Sequence, residues 1–243
     1  MTKSLRWGIL GTGNIAAKFA DQLNQASHGE LVACGSRQQS SADQFSQQYG
    51  GKGYGSYEEL VSDPQVEAIY VSLPNSLHAP WSIAGLEAGK HVLCEKPLAA
   101  STAEVEQMFA TADATGMKLM EAFMYRFHPL MNRVVNLIQD GVIGDIQVVR
   151  AMFGYTAEFN PKSRVYSHEM GGGGILDIGC YPSSMVRKIA GAVENNPFLH
   201  PTSIMGNGKV GPTGVDHIAA ATLKFENGII GEIIASVACS NVL

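Results

Sequence analysis

In the stretch Leu5-Arg6-Trp7-Gly8-Ile9-Leu10-Gly11-Thr12-Gly13-Asn14-Ile15-Ala16-Ala17-Lys18-Phe19-Ala20-Asp21-Gln22-Leu23, an apolar run gives way to Gly11-Thr12-Gly13, and Ile15, Phe19 and Leu23 then recur at helical spacing. That order reads as a buried parallel strand, a glycine turn and a helix. Gly11, Gly13 and Ala16 fill the G-x-G-x-x-G/A pattern. Gly11 permits a tight turn, Gly13 lets a pyrophosphate approach the backbone, and Ala16 lets helix and strand pack closely. The orphan N–H groups of the first helical turn then face the phosphates, helped by the positive end of the helix dipole.

Composition limits what else the chain can be. Its 243 residues allow one large or two moderate domains. At 45% hydrophobic and 16% charged residues it can bury a sizeable core. A net charge of -5 argues against a nucleic-acid or anionic-membrane surface, leaving small molecules or other copies of the chain as partners. Met1-Thr2-Lys3-Ser4 leads straight into the first strand with no secretory pattern, and no apolar run reaches membrane-spanning length. Cys34, Cys94, Cys180 and Cys239 are far apart in sequence and form no metal-ligand spacing. The expectation is a cytoplasmic protein without disulfide or structural metal.

Downstream, Leu31 to Ser36 reads as a second strand, with Arg37 at its C-terminal edge. An NAD site usually places a carboxylate there, whereas Ser36-Arg37 suits the 2′-phosphate of NADP. Arg37 as a plain solvated charge remains the alternative. Ser56 with Glu59, and Ser101 with Glu104, match capping boxes at helix starts. Val66 to Leu73 reads as a buried strand, Pro74 to His78 as a loop, Ala79 to Ala88 as a crossover helix and His91 to Cys94 as the next strand. His78 either contacts a cofactor or merely begins the helix.

Glu95-Lys96-Pro97 should face the same crevice, because ligands of open α/β sheets bind outside the C-terminal strand ends. A desolvated Lys96 there could exchange a proton with a substrate oxygen, and Pro97 could take the cis form. A surface ion pair closing a loop is the plainer alternative. A helix from Ser101 to Thr115 follows, and Lys118 to Ala122 closes the sheet as a sixth strand. The domain boundary is placed after it, giving domains 1–122 and 123–243.

The second half reads as one amphipathic helix, His128 to Gln139, and strand-like segments at Ile146 to Tyr155, Thr202 to Met205, His217 to Phe225 and Ile229 to Val237. Within it, Gly171 to Gly174 looks like backbone that must come close to something. Asp177 and Tyr181 follow on a helix, four apart on one face. They could form a proton-handling pair, but on these residues alone the plainer reading is a helix N-terminal carboxylate and a half-buried tyrosine.

Together, Gly11 to Ala16, Leu73 to His78, Glu95-Lys96-Pro97, Glu121 to Pro129 and Gly172 to Tyr181 resemble, in order, the motifs of the glucose-fructose oxidoreductase/inositol dehydrogenase (Gfo/Idh/MocA) family. The Glu121 to Pro129 block and Tyr181 are similar to the dihydrodiol dehydrogenase and NADP-dependent xylose dehydrogenase branch. The resemblance implies a Rossmann domain followed by an α/β domain with an open, mostly antiparallel sheet, and dimers or dimers of dimers formed through that sheet. It implies Lys96 as the active-site lysine, Tyr181 as proton donor or acceptor and Asp177 as a substrate-binding or supporting acid. Gly11, Thr12, Gly13, Asn14, Ile15 and Ala16 would hold the pyrophosphate, and Ser36 and Arg37 the 2′-phosphate. Leu73, Pro74, Asn75 and His78 would line the cofactor cleft, with Glu95 and Pro97 shaping its nicotinamide end.

Members of that family usually run longer, so the chain's end at Leu243 suggests a fragment or a shortened second domain. The expected activity is NADP-dependent hydride transfer to or from a sugar-like or vicinal-diol substrate, with no metal. The alternative is a cofactor-binding regulator or scaffold of the same fold without turnover.

Overall fold

A computed structural model describes residues 4–239. Residues 1–3 and 240–243 lie outside the described residues, and so do the expectations resting on Met1-Thr2-Lys3 and on Leu243. The chain forms two compact units, Met1–Ala122 and Phe123–Leu243.

The first unit alternates strand and helix: β1 (Leu5–Leu10), α1 (Asn14–Leu23), β2 (Gly29–Gly35), α2 (Gln39–Tyr49), β3 (Lys52–Tyr54), α3 (Tyr57–Val61), β4 (Ala68–Val71), α4 (His78–Glu87), β5 (His91–Cys94), α5 (Thr102–Thr115) and β6 (Leu119–Glu121). A single 3-10 turn, Asn75–Leu77, precedes α4. The six strands are all parallel in the order β3-β2-β1-β4-β5-β6. Alternation along the strands builds a core on each face of the sheet. Leu10, Ile69, Val71 and Val92 join Leu60, Leu86 and Met108 on one side, whereas Ile9, Leu31, Cys34 and Tyr70 join Ala16, Ala20 and Phe45 on the other. Each large side chain fully buried this way contributes about 1.5–3 kcal/mol.

Local chemistry starts and stops the helices. Ser101 and Glu104 complete a reciprocal capping box at α5, which Gly116 ends at φ +71. Ser56 accepts from Glu59 N at α3. The third strand of the sheet is only three residues around Gly53, and α2 buries only Ala42 and Phe45, so neither carries a strong sequence period.

The second unit contains a 3-10 turn (Met124–Phe127), α6 (Pro129–Gln139), β7 (Val148–Gly154), a π turn (Ile175–Gly179) that runs into α7 (Cys180–Ala192), β8 (Ser203–Val210), β9 (Asp216–Lys224) and β10 (Ile230–Ser236). Its sheet is mixed, in the order β7-β10-β9-β8; β10 pairs parallel with β7, and the other two pairings are antiparallel. Val186 and Ala190 of α7 pack with Leu223, Phe225, Val149, Ala151 and Ile233 on one face. By alternation the opposite face carries Val148, Met152, Ile218, Ile230 and Ile234. β8 runs past the expected end at Met205 to Val210, because its ladder with β9 continues through Gly206 and Gly208, residues that signal no strand.

Candidate functional site

In the first unit β1 stands between β2 and β4, so consecutive connections leave the sheet in opposite directions at the C-terminal ends of β1 and β4. This is where an open α/β sheet binds its ligand. Gly11 turns the chain at φ +102, and a side chain there would meet Ser72 O and Oγ at 3.0 Å. Ser72 in turn donates through Oγ to Leu10 O at 2.7 Å, closing the base of the crevice. Gly13 is the N-cap of α1 and offers no side-chain cap, and no acidic residue occupies the first turn. A Cβ added to Gly13 would meet nothing within 4 Å.

These atoms suit a dinucleotide pyrophosphate. Uncapped N–H groups at the positive end of a ten-residue helix need an anion or water, and the space above Gly13 admits one to the backbone. Asn14 and Ile15 are exposed and Thr12 half-buried beside that space, whereas Ala16 is buried against the sheet. At the end of β2, Ser36 is buried and Arg37 is exposed. Burial pushes the Tyr57 phenol up, while the charge of Arg37 and a hydrogen bond from it act the other way. Arg37 is thus held beside α3 with no carboxylate at this strand end.

Lys96 sits on a loop tethered from several sides. Tyr70 donates to Glu95 Oε1 at 2.5 Å, and Lys96 N donates to Glu95 Oε2 at 3.2 Å. The Lys96–Pro97 bond is cis, and Leu98 N donates to Glu121 Oε1 at 2.9 Å. His78, 1% exposed, places Nδ1 2.7 Å from Pro97 O and Nε2 2.8 Å from Leu73 O. Burial pushes the His78 imidazolium down, against those carbonyls and Glu95, which favour it. His78 therefore begins α4 and also joins the loop after β4 to the loop after β5. Leu73, Pro74 and Asn75 lie on the first of those loops. Tyr70 belongs to none of the motifs, and Glu121 opens one without a role assigned to it; each supports a loop more than 20 residues away in sequence.

The buried thiols are spectators. Burial, with Asp43, pushes Cys34 up to about 11, and burial pushes Cys94 up to about 12, so neither is a thiolate nucleophile at neutral pH. Among the described residues no cluster of His, Cys, Asp or Glu could hold a metal ion, and no helix is long and apolar enough to cross a membrane.

In the second unit, Asp177 lies on the π turn and Tyr181 on the first turn of α7. Phe123, Tyr125 and Phe153 surround the Tyr181 ring, with centroids at 5.6, 6.3 and 5.6 Å. Tyr125 Oη lies 2.7 Å from Ser184 Oγ, and Arg126 donates to the same hydroxyl at 2.8 Å while lying over the rings of Phe123 and Phe198. Asp177 is 4% exposed; Tyr155 donates to its Oδ2, and Arg164 donates to its Oδ1 at 2.6 Å. The glycine run is explained within the unit. A Cβ at Gly172 would lie 2.6–2.9 Å from the carbonyls of Val165, Arg164 and Ser167, and one at Gly173 2.4 Å from Asp216 Oδ1. Asp216 Oδ2 accepts from Ile175 N at 2.8 Å, so this carboxylate caps the helix start. Arg164 and Asp216 carry no motif, and Tyr155 stands in the sequence only as the end of a strand-like segment, with nothing to mark its bond to Asp177.

The strand order and the open glycine turn define a dinucleotide-binding Rossmann unit, here joined to an α/β unit with a mixed sheet. Residues 5–123 match the oxidoreductase family with an NAD-binding Rossmann fold, and residues 131–242 match the GFO/IDH/MocA C-terminal domain. The chain belongs to the Gfo/Idh/MocA oxidoreductase family. It is 37% identical over 237 residues to the trans-1,2-dihydrobenzene-1,2-diol dehydrogenase of Mus musculus, covering 96% of this chain and 69% of that one. It is 34% identical over 233 residues to D-xylose 1-dehydrogenase (NADP(+)) 2 of Haloferax volcanii, covering 96% and 69%. Among solved structures, the 3-ketoreductase KijD10 of Actinomadura kijaniata, in complex with NADP and TDP-benzene, matches with a TM-score of 0.86 at 31% identity, over 98% of this chain and 72% of that one.

Proposed function

We propose that this chain catalyses NADP-dependent hydride transfer between the nicotinamide and an alcohol or carbonyl carbon of a sugar-like or vicinal-diol substrate. The observation that carries the reading is the Lys96 loop, tethered by Tyr70, Glu121 and His78 at the same sheet edge as the uncapped, open turn at Gly13. The names of the relatives, sugar and diol dehydrogenases and a ketoreductase with bound NADP, support the substrate class and the cofactor. The alternative of a regulator without turnover gains no support from these likenesses.

When bound, the nicotinamide supplies or takes the hydride. The chain's share is binding, orientation and one proton. Gly11 to Ala16 hold the pyrophosphate, and Ser36 and Arg37 receive the 2′-phosphate. The first loop tethered by His78, Leu73 to Asn75, lines the cleft, and Glu95 and Pro97 set the direction of Lys96. Tyr181, ringed by aromatic side chains in its unit, and Lys96 on its tethered loop are the groups assigned to that proton.

The open face of the second sheet supports a homodimer or a dimer of dimers. It presents Val148 at 55% exposure, with Met152, Ile230 and Ile234 half-buried beside it, and an isologous two-fold contact with a second copy would cover such a face. A reducing, cytoplasmic setting is part of the same reading and rests on the wide spacing of the four cysteines in sequence. The deciding experiment is a panel of aldoses, keto-sugars and trans-dihydrodiols assayed with NADP and NADPH at the nicotinamide absorbance band. Turnover of at least one class with NADP(H) is expected, and none across the panel would refute the reading.

A further inference from the structure

We propose that Asp177 is a positioning residue whose carboxylate joins Tyr155 and Arg164 in a clasp, fixing the loop of residues 156–173 against the helix start that carries Tyr181. The functional part of this inference rests on the hydride-transfer reading above, in which Tyr181 moves the proton.

The loop is pinned by its backbone at both ends and by one ring. Tyr155 N donates to Ser236 O at 3.0 Å, and Ala157 N to Val237 O at 2.9 Å. Tyr166 Oη donates to Ala157 O at 3.0 Å and to Val237 O at 3.1 Å, and Gly173 N donates to Val165 O at 2.9 Å. Between these pins Arg164 reaches back to Asp177. One carboxylate oxygen accepts from Tyr155 and the other from Arg164, and the group is 4% exposed. Burial and the adjacent carboxylate push the Tyr155 phenol above the ordinary tyrosine range, so it remains the O–H donor at neutral pH. Each of these donors takes a lone pair on a different carboxylate oxygen, so the group is held from two sides.

The clasp acts on Tyr181 through the helix. Asp177 and Tyr181 are four residues apart across the π turn and share a face, so a carboxylate locked to Tyr155, just past β7, and to Arg164 of the loop fixes the rotation of the first α7 turn. Small misplacements of a reacting group are costly to turnover.

The test pairs amide hydrogen exchange of residues 157–173 with kcat, KM and the pH profile of kcat, in the unmodified chain and in Arg164→Gln, Arg164→Lys, Asp177→Asn and Tyr155→Phe. Arg164→Gln and Asp177→Asn should each speed exchange in the loop about tenfold or more. Both should lower kcat more than they raise KM and leave the limbs of the pH profile where they were, Arg164→Lys should restore much of the loss, and the double variant should be no worse than the poorer single one. Loss of a pH limb in Asp177→Asn would show that the carboxylate exchanges a proton and would overturn the proposal. Unchanged loop exchange in Arg164→Gln, which sits at a 58% exposed side chain and need not disturb folding, would overturn it too. If the unmodified chain turns over nothing in the substrate panel, the hydride-transfer reading fails alone, and the exchange measurement still decides the clasp.

Discussion

Gly11 and Gly13 stand two residues apart in one motif, yet the structure assigns them different costs on substitution by alanine. Gly13 has φ -83 and ψ -178, which alanine adopts without strain, and its added Cβ meets nothing. Loss of a favourable N-cap glycine costs a few tenths of a kcal/mol or more, while the stiffer unfolded chain returns about 0.4–1 kcal/mol, so Gly13→Ala should leave stability within about 0.5 kcal/mol. Gly11 has φ +102, and its Cβ would press on Ser72 at 3.0 Å. The backbone strain alone is about 1–2 kcal/mol, and displacing Ser72 from Leu10 O adds about 0.5–1.5 kcal/mol, giving a loss of roughly 1.5–3.5 kcal/mol for Gly11→Ala. Binding should rank differently: the methyl of Gly13→Ala fills the space above uncapped N–H groups and should weaken NADPH at least tenfold, about 1.4 kcal/mol. Urea unfolding followed by circular dichroism reads the first quantity, and nucleotide fluorescence titration the second. A Gly13→Ala protein that unfolds normally and binds NADPH as tightly as the unmodified chain would refute the placement of the pyrophosphate at this turn.

Three further outcomes are expected. NADP(H) should bind more tightly than NAD(H), and Arg37→Ala should remove most of the difference, about 1.5 kcal/mol for a charged hydrogen bond at an exposed side chain; equal affinities in the unmodified chain would refute this. Lys96→Met and Tyr181→Phe should each cut turnover while sparing nucleotide binding, and the double variant should cost little more than the worse single one, so near-normal turnover in both singles rules out these roles. Gel filtration with light scattering should give a dimer at micromolar concentration, with a buried interface on the order of 2,000 Å², and Ile234→Arg on the open sheet face should yield monomer; a monomeric unmodified chain ends that reading.

What was legible in the sequence is what short-range chemistry writes there. The strand, turn and helix around Gly11 to Ala16 were readable because apolar period, glycine and helix start lie within one window. The capping box at Ser101 was readable for the same reason. Lys96 could be placed at the sheet edge from strand order alone, but the bonds by which Tyr70 and Glu121 tether its loop could not be read, since a side chain that bonds a distant loop leaves no local pattern. Tyr155, Arg164 and Asp216 are further cases, 22, 13 and 41 residues from the atoms they hold. The π turn was hidden too, because a helical period of 3.6 and one widened turn differ by less than a single apolar position can report.

Glycine shows the limit most clearly. Gly13 and Gly173 both sit at the start of a helix in a glycine-rich stretch, and from sequence both announce a close approach to the backbone. A Cβ on Gly13 meets nothing within 4 Å, whereas one on Gly173 would lie 2.4 Å from Asp216 Oδ1. The second helix start already has its anion, a carboxylate from β9 of the same unit, and needs no ligand to satisfy Ile175 N. The first has none, so its N–H groups are available to a phosphate. The same residue type therefore marks a ligand's place in one unit and a structural cap in the other, and only the position of the distant Asp216 separates the two.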